Sequence, residues 1–111
     1  MAKVLISPGK YVQGAGEMKK LGEYAQNYGK KALILISKGG YKRIGAMVEK
    51  SFEGKECGYV FDYFNGECSK KEIKRLGEIV KKEACDVVIG IGGGKIFDTA
   101  KAVAYYERRR F

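Results

Sequence analysis

One stretch of the chain concentrates residue types that could do chemistry: Gly90-Ile91-Gly92-Gly93-Gly94-Lys95-Ile96-Phe97-Asp98-Thr99-Ala100-Lys101. Glycines without a Cβ let a backbone come close to a phosphate, and the free amides of a helix start point toward it. The Lys95 ammonium and the positive end of a helix both favour an anion. Asp98, expected in the first helical turn, suits ligand hydroxyls, the loop itself or the helix cap. Phosphate binding is one reading of this spacing and a plain tight turn is the other. Two common nucleotide motifs are excluded. Walker A would need glycine at Ile89 and a hydroxyl residue at Ile96, and G-x-G-x-x-G fails because Lys95 holds its third position.

The elements that must position this loop follow from hydrophobic periodicity. Lys3 to Ile6 reads as a strand, Ser7-Pro8-Gly9-Lys10 as a turn, and Tyr11-Val12-Gln13 as a short return strand ending at Gly14-Ala15-Gly16. Met18, Leu21, Ala25 and Tyr28 recur at helical steps, and Gly29 stands where a C-cap is expected. Ala32 to Ile36 is an unbroken apolar run of the kind buried on both faces. Ser37-Lys38-Gly39-Gly40 punctuates it. A second helix carries Tyr41, Ile44, Val48 and Phe52 on one face and closes at Gly54. Gly58 to Phe64 is aromatic and β-branched, a strand. Ser69-Lys70-Lys71-Glu72 is a capping box opening a helix with Ile73, Leu76, Ile79, Val80 and Ala84 inward. Asp86 leads into the all-apolar strand Val87 to Ile91. The triglycine then opens a last helix, expected to reach about Tyr106. Alternation of apolar strands with helices implies an α/β domain around a mainly parallel sheet with flanking helices. The glycine loop falls at the carboxyl edge of that sheet, where such folds bind ligands.

Composition narrows the function classes. The 111 residues fit one domain, with 45 % hydrophobic and 32 % charged residues, an ordinary globular balance. No run is long enough for a membrane span, and the N-terminal apolar stretch is too short for a signal peptide, so a cytoplasmic address is expected. Cys57, Cys68 and Cys85 form no C-x-x-C pair, and reduced thiols, one or two of them in the core, are expected. Lys and Arg number 22 against 13 acidic residues, a formal net charge of +9. The basic residues are dispersed along helix faces and interleaved with glutamates, with no aromatic platform for bases. A nucleic-acid partner is therefore not expected. Arg108-Arg109-Arg110 is the one basic block.

The residues also carry a resemblance. Gly92-Gly93-Gly94-Lys95 followed by Asp98, Ala100 and Lys101 resembles the G-G-G-x-x-x-D-x-A-K motif of the iron-containing alcohol dehydrogenase superfamily. Ser7 to Gly16 and Phe64-Asn65-Gly66-Glu67-Cys68-Ser69 resemble its glycerol dehydrogenase branch. The resemblance implies a Rossmann-like N-terminal domain of the dehydroquinate synthase-like / iron-containing alcohol dehydrogenase fold. It also implies hydride transfer from a secondary alcohol to NAD. The cofactor-binding residues would be Ser37, Gly92, Gly93, Gly94, Lys95, Asp98 and Thr99. At Ser37 the family usually carries an acidic residue for the ribose hydroxyls, so its absence admits NADP beside NAD. Ile96 is bulkier than the residue usual beside the phosphate loop and is expected to crowd the cofactor.

The same resemblance implies what the chain lacks. The family's catalytic metal is held by an aspartate and two histidines of a helical domain, and this sequence has no histidine. No catalytic and no metal-binding residue is therefore assigned. Residues 1–106 are expected to form the nucleotide-binding domain, truncated relative to the family, with 107–111 an atypical tail. Glycerol is expected as a ligand only of a full-length enzyme, and the fragment alone is expected to be inactive. The alternatives are a non-enzymatic module that self-associates or pairs with other subunits and, further off, a non-specific nucleic-acid binder.

Overall fold

A computed structural model of the chain describes the backbone of Lys3–Ser7, Lys10–Gln13 and residues 19–108, with side chains from residue 19 to 107. The elements run β1 (Lys3–Ser7), β2 (Lys10–Gln13), α1 (Leu21–Ala25), β3 (Lys31–Ile36), α2 (Lys38–Ser51), β4 (Gly58–Tyr63), α3 (Lys70–Glu83), β5 (Val87–Ile91) and α4 (Gly94–Arg108). The expected turn at Pro8-Gly9, the Gly14-Ala15-Gly16 segment, Met18 and the end of the tail lie outside the described residues.

Five strands form one sheet in the order β2-β1-β5-β3-β4. Strands β4, β3 and β5 are mutually parallel, while β1 runs antiparallel to both β2 and β5. The expected parallel core is present, with an antiparallel pair added at one side. Alternation along β3 explains why its sequence is apolar throughout. Ala32, Ile34 and Ile36 enter one core with Leu21, Ala25, Val48 and Phe52 of the α1 and α2 side. Leu33 and Leu35 enter the other with Leu76 and Val80 of α3 and Phe97, Ala100 and Val103 of α4. Helices thus cover both faces, and each fully buried Leu or Ile contributes roughly 1.5–3 kcal/mol of apolar burial.

Several local expectations change in the folded chain. The first helix ends at Ala25, and Tyr28 lies beyond it, exposed. Gly29 does not cap it in the left-handed conformation: a Cβ there would collide with the Asp86 carboxyl group and Val87. Gly29 is instead the gap that lets Asp86 reach the Lys30 and Lys31 amides, each at 2.9 Å. Ser37 is the N-cap of α2 rather than a simple break, its Oγ accepting from the Gly40 amide at 3.0 Å. Ala84 does not face the core. It is exposed and left-handed (φ 55°), ending α3 so that Cys85 can turn inward. Finally, α4 continues to Arg108, and Glu107 is buried against Gly77 of α3.

Candidate functional site

The register aligns Ile36 with both Tyr63 and Ile91, so the three parallel strands end together. From that edge β3 continues into α2 on one face and β5 into α4 on the other. A crevice opens where neighbouring strands send their helices to opposite faces, the position at which open α/β sheets take ligands. Its two walls are the starts of α2 and α4. Ser37 therefore faces the edge from one wall and Gly92-Gly93-Gly94 from the other. Gln13, aligned with Lys3 just past the Val4–Ile91 pair, brings the end of β2 to the same edge.

The three glycines differ in what the fold asks of them. Gly92 adopts φ +146°, and a Cβ there would come within 2.7 Å of Ile96 Cδ1. Conformation and packing both require glycine. Gly93 and Gly94 have no positive φ, and a Cβ on either would meet nothing within 4 Å. Both positions have room for a Cβ, and at Gly94, the first helical residue, alanine favours the helix by up to about 1 kcal/mol over glycine. Gly93, whose carbonyl accepts from the Phe97 amide, is the N-cap, where glycine is itself preferred over alanine. These two bare positions leave an open cradle beside the free amides of α4, the geometry a phosphate group needs. The residues present fit the pyrophosphate of a dinucleotide.

The remaining candidate side chains do not all reach this cradle. Lys95 is exposed and pairs with Glu67 Oε1 at 2.8 Å. Asp98 is exposed and falls beyond the first turn of α4, which carries no acidic residue, so it does not cap the helix. Thr99 is fully buried, and its Oγ1 donates to the Lys95 carbonyl at 2.8 Å. It steadies the helix start from beneath. Ile96 is also turned inward, 7 % exposed, and packs among Leu33, Leu35 and Ala100 under Gly90 and Gly92. It supports the loop from below instead of crowding the cradle.

A polar network that the sequence reading missed holds the neighbouring loop, 64–69. Ser69 Oγ accepts from the Glu72 amide at 3.1 Å, as a capping box requires. The Glu72 carboxylate does not return to Ser69. It accepts from the Asn65 amide (3.0 Å) and Asn65 Nδ2 (3.1 Å), and from Arg75 Nε at 2.8 Å. Arg75 extends to Asp62 Oδ1 (2.8 Å) and the Tyr63 carbonyl (3.0 Å). Glu72 is 4 % exposed, and the Arg75 guanidinium, together with the Asn65 donors, holds its carboxyl below the usual range. Only the Ser69–Glu72 spacing and the Glu72–Arg75 helical step signalled this network in advance.

Fold and loop define an α/β domain with open glycines at a helix start beside its strand ends. Comparison with known proteins places it further. Residues 8–110 match the family described as iron-containing alcohol dehydrogenase. The chain is 43 % identical over 108 residues to the glycerol dehydrogenase of Escherichia coli, covering 96 % of this chain and 29 % of that protein. It is 44 % identical over 112 residues to the glycerol dehydrogenase of Thermotoga maritima, covering 95 % and 28 %. A crystal structure of a probable glycerol dehydrogenase from Sinorhizobium meliloti superposes with a TM-score of 0.71 at 36 % identity. It covers 85 % of this chain and 24 % of that one. The chain belongs to the iron-containing alcohol dehydrogenase family. It spans less than a third of the length of these relatives, and the family match continues past Tyr106 into the segment expected to be an atypical tail.

Among the described residues no three His, Cys, Asp or Glu side chains gather as a metal ion would need. No chemical step is derived through a metal. No helix among the described residues is long and apolar enough to cross a membrane.

Proposed function

We propose that this chain is the dinucleotide-binding portion of a glycerol dehydrogenase-type oxidoreductase. NAD would lie across the strand ends, its pyrophosphate on the amides of Gly92, Gly93 and Gly94 with Lys95 alongside, and its adenosine ribose toward Ser37. Asp98 and Thr99 would stand behind the loop, Asp98 toward solvent and Thr99 as a brace for the Lys95 carbonyl. The observation that carries this reading is the open space over Gly93 and Gly94, where a side chain would meet nothing in the fold but would fill the place of a bound phosphate. When bound, NAD accepts hydride from a secondary alcohol such as glycerol. These 111 residues would bind and orient it without completing the reaction, because the side chains that engage the alcohol lie outside them. With Ser37 in place of a carboxylate, NADP is also accommodated.

Calorimetric titration of the purified chain with NAD and, separately, NADP tests this. Saturable binding that is weakened in Lys95→Ala and lost in Gly94→Val is expected. Absence of binding at millimolar ligand would overturn it. Glycerol-dependent NADH formation by the metal-supplemented chain would refute the inactivity of the isolated residues.

One feature favours self-association as a second reading. Among the described residues strand β4 is hydrogen-bonded on one side only, and Tyr105 and Tyr106 near the end of α4 are 56 % and 54 % exposed. An open strand edge and, apart from it, exposed aromatic side chains each invite pairing with another chain. A single monomeric species in sedimentation across a concentration series would exclude it.

A further inference from the structure

The glycine loop already has an anion beside it. Lys95 Nζ lies 2.8 Å from Glu67 Oε1, joining the loop after β5 to the loop after β4. These loops are not neighbours in the sheet, since β3 separates their strands. The pair therefore bridges the carboxyl edge. We infer that Glu67 is a built-in competitor for Lys95, a counter-ion that must release the ammonium before a ligand phosphate can take it. The inference rests on the proposed dinucleotide site and names how access to that site is regulated.

Both ends of the bridge are held by the fold. On the Glu67 side, Asn65 is fixed by its amide and Nδ2 to the buried Glu72, Gly66 turns the chain at φ +100°, and Ser69 caps α3. Glu67 thus sits on a short segment secured at both ends, not on a free tail. On the other side the Lys95 carbonyl is gripped by Thr99 at 2.8 Å, so the side chain leaves a fixed point. The placement of the pair is a property of two anchored loops.

Its strength decides what it can do. The Lys95 and Glu67 side chains are 65 % and 74 % exposed. Water screens such pairs, and they contribute at most about 1 kcal/mol. The pyrophosphate of a dinucleotide brings two negative charges against the one of the carboxylate and meets the helix amides as well. It will displace Glu67, but against a resistance. The carboxylate, once displaced, stays on a tethered loop and opposes a second anion. Glu67 therefore sets the affinity of the site downward without closing it.

The test is a double-mutant cycle on the full 111-residue chain, with NAD as probe in calorimetric titration at low salt. Thermal melting of each variant accompanies it to confirm an intact fold. Glu67→Gln removes the charge at an exposed position, and Lys95→Met removes its target. Glu67→Gln is expected to bind NAD about two- to fivefold more tightly than the parent, the range an exposed ion pair allows. In the Lys95→Met background the same change is expected to have a clearly smaller effect, because little remains for Glu67 to occupy. Unchanged or weaker binding by Glu67→Gln, beside normal binding by the parent, would overturn the competitor and leave the dinucleotide site standing. An equal gain in both backgrounds would also overturn it, marking simple long-range repulsion. Failure of every variant to bind would overturn the site itself and the competitor with it.

Discussion

Ile96 closes from beneath on Gly92: a Cβ at position 92 would stand 2.7 Å from Ile96 Cδ1, on a backbone already at φ +146°. Alanine there must strain the backbone and make the Ile96 Cδ1 end give way, lowering stability by about 1–3 kcal/mol. Gly93 and Gly94 lie under neither constraint. Gly94→Ala should leave stability unchanged or raise it by up to about 1 kcal/mol, while weakening dinucleotide binding by filling the cradle. Thermal denaturation combined with NAD titration separates the two effects. A Gly94→Ala chain that is stable and binds as before would refute the cradle.

The Glu72 network ties stability to pH. Because Arg75 and Asn65 hold the folded carboxyl below its ordinary range, its contribution is fully present above the pKa of an unfolded glutamate, about 4.3. It is lost as the pH falls through the lowered folded value. Glu72→Ala leaves the Asn65 donors without their acceptor and Arg75 with only Asp62 and the Tyr63 carbonyl, and should cost about 1–3 kcal/mol at neutral pH. The deficit relative to the parent should shrink in acid. Denaturant titrations at pH 7 and near pH 3 would check this, and a deficit independent of pH would contradict it.

The thiols divide by burial. Cys57 and Cys85 lie in the two cores, and burial pushes the Cys85 thiol up to about 11 and raises that of Cys57. Cys68 is exposed. Near pH 8 the folded chain should consume one equivalent of a thiol reagent rapidly and the other two only on unfolding, since the thiolate is the reactive form. Rapid labelling of all three without denaturant would show the cores to be open.

Ser37 offers a test of nucleotide choice that spares the fold. Aspartate caps helices about as well as serine, so Ser37→Asp should change stability by less than about 0.5 kcal/mol. It would restore a carboxylate at the proposed ribose position. NAD should then bind more tightly and NADP more weakly, by about tenfold in their ratio, as expected when a carboxylate meets ribose hydroxyls rather than a 2′-phosphate. Paired titrations with the two nucleotides read this directly, and an unchanged ratio would place the ribose elsewhere.

Much of the fold was legible because a single local pattern determined it. Strands β3 and β5 are buried on both faces, and unbroken apolar runs can mean little else once helices flank them. The glycine loop was legible as a strand-to-helix turn at the sheet's carboxyl edge for the same reason, since three consecutive glycines at a strand end have few uses. What escaped the sequence depends on distant partners. The helical spacing through Tyr28 was real, but the Lys30 and Lys31 amides are held by Asp86, so the chain must leave the helix early. Ala84 has the strongest helical preference of any residue, yet the turn that brings Cys85 inward makes it left-handed. No periodicity connects Glu67 to Lys95. Their pairing follows only from strands ending at a common edge.

Strand β5 pairs with β1 on one side and β3 on the other. Remove it, and the β1–β2 pair and the β3–β4 pair share no hydrogen bond. Among the described strands the seam is therefore the last in chain order, joined to β1, the first of them. Local pairs can assemble early, but closure waits for contacts of long sequence separation, which are the slow ones to form. During synthesis, the glycine loop at the end of β5 and the sheet edge that gives it a crevice come into being in the same step.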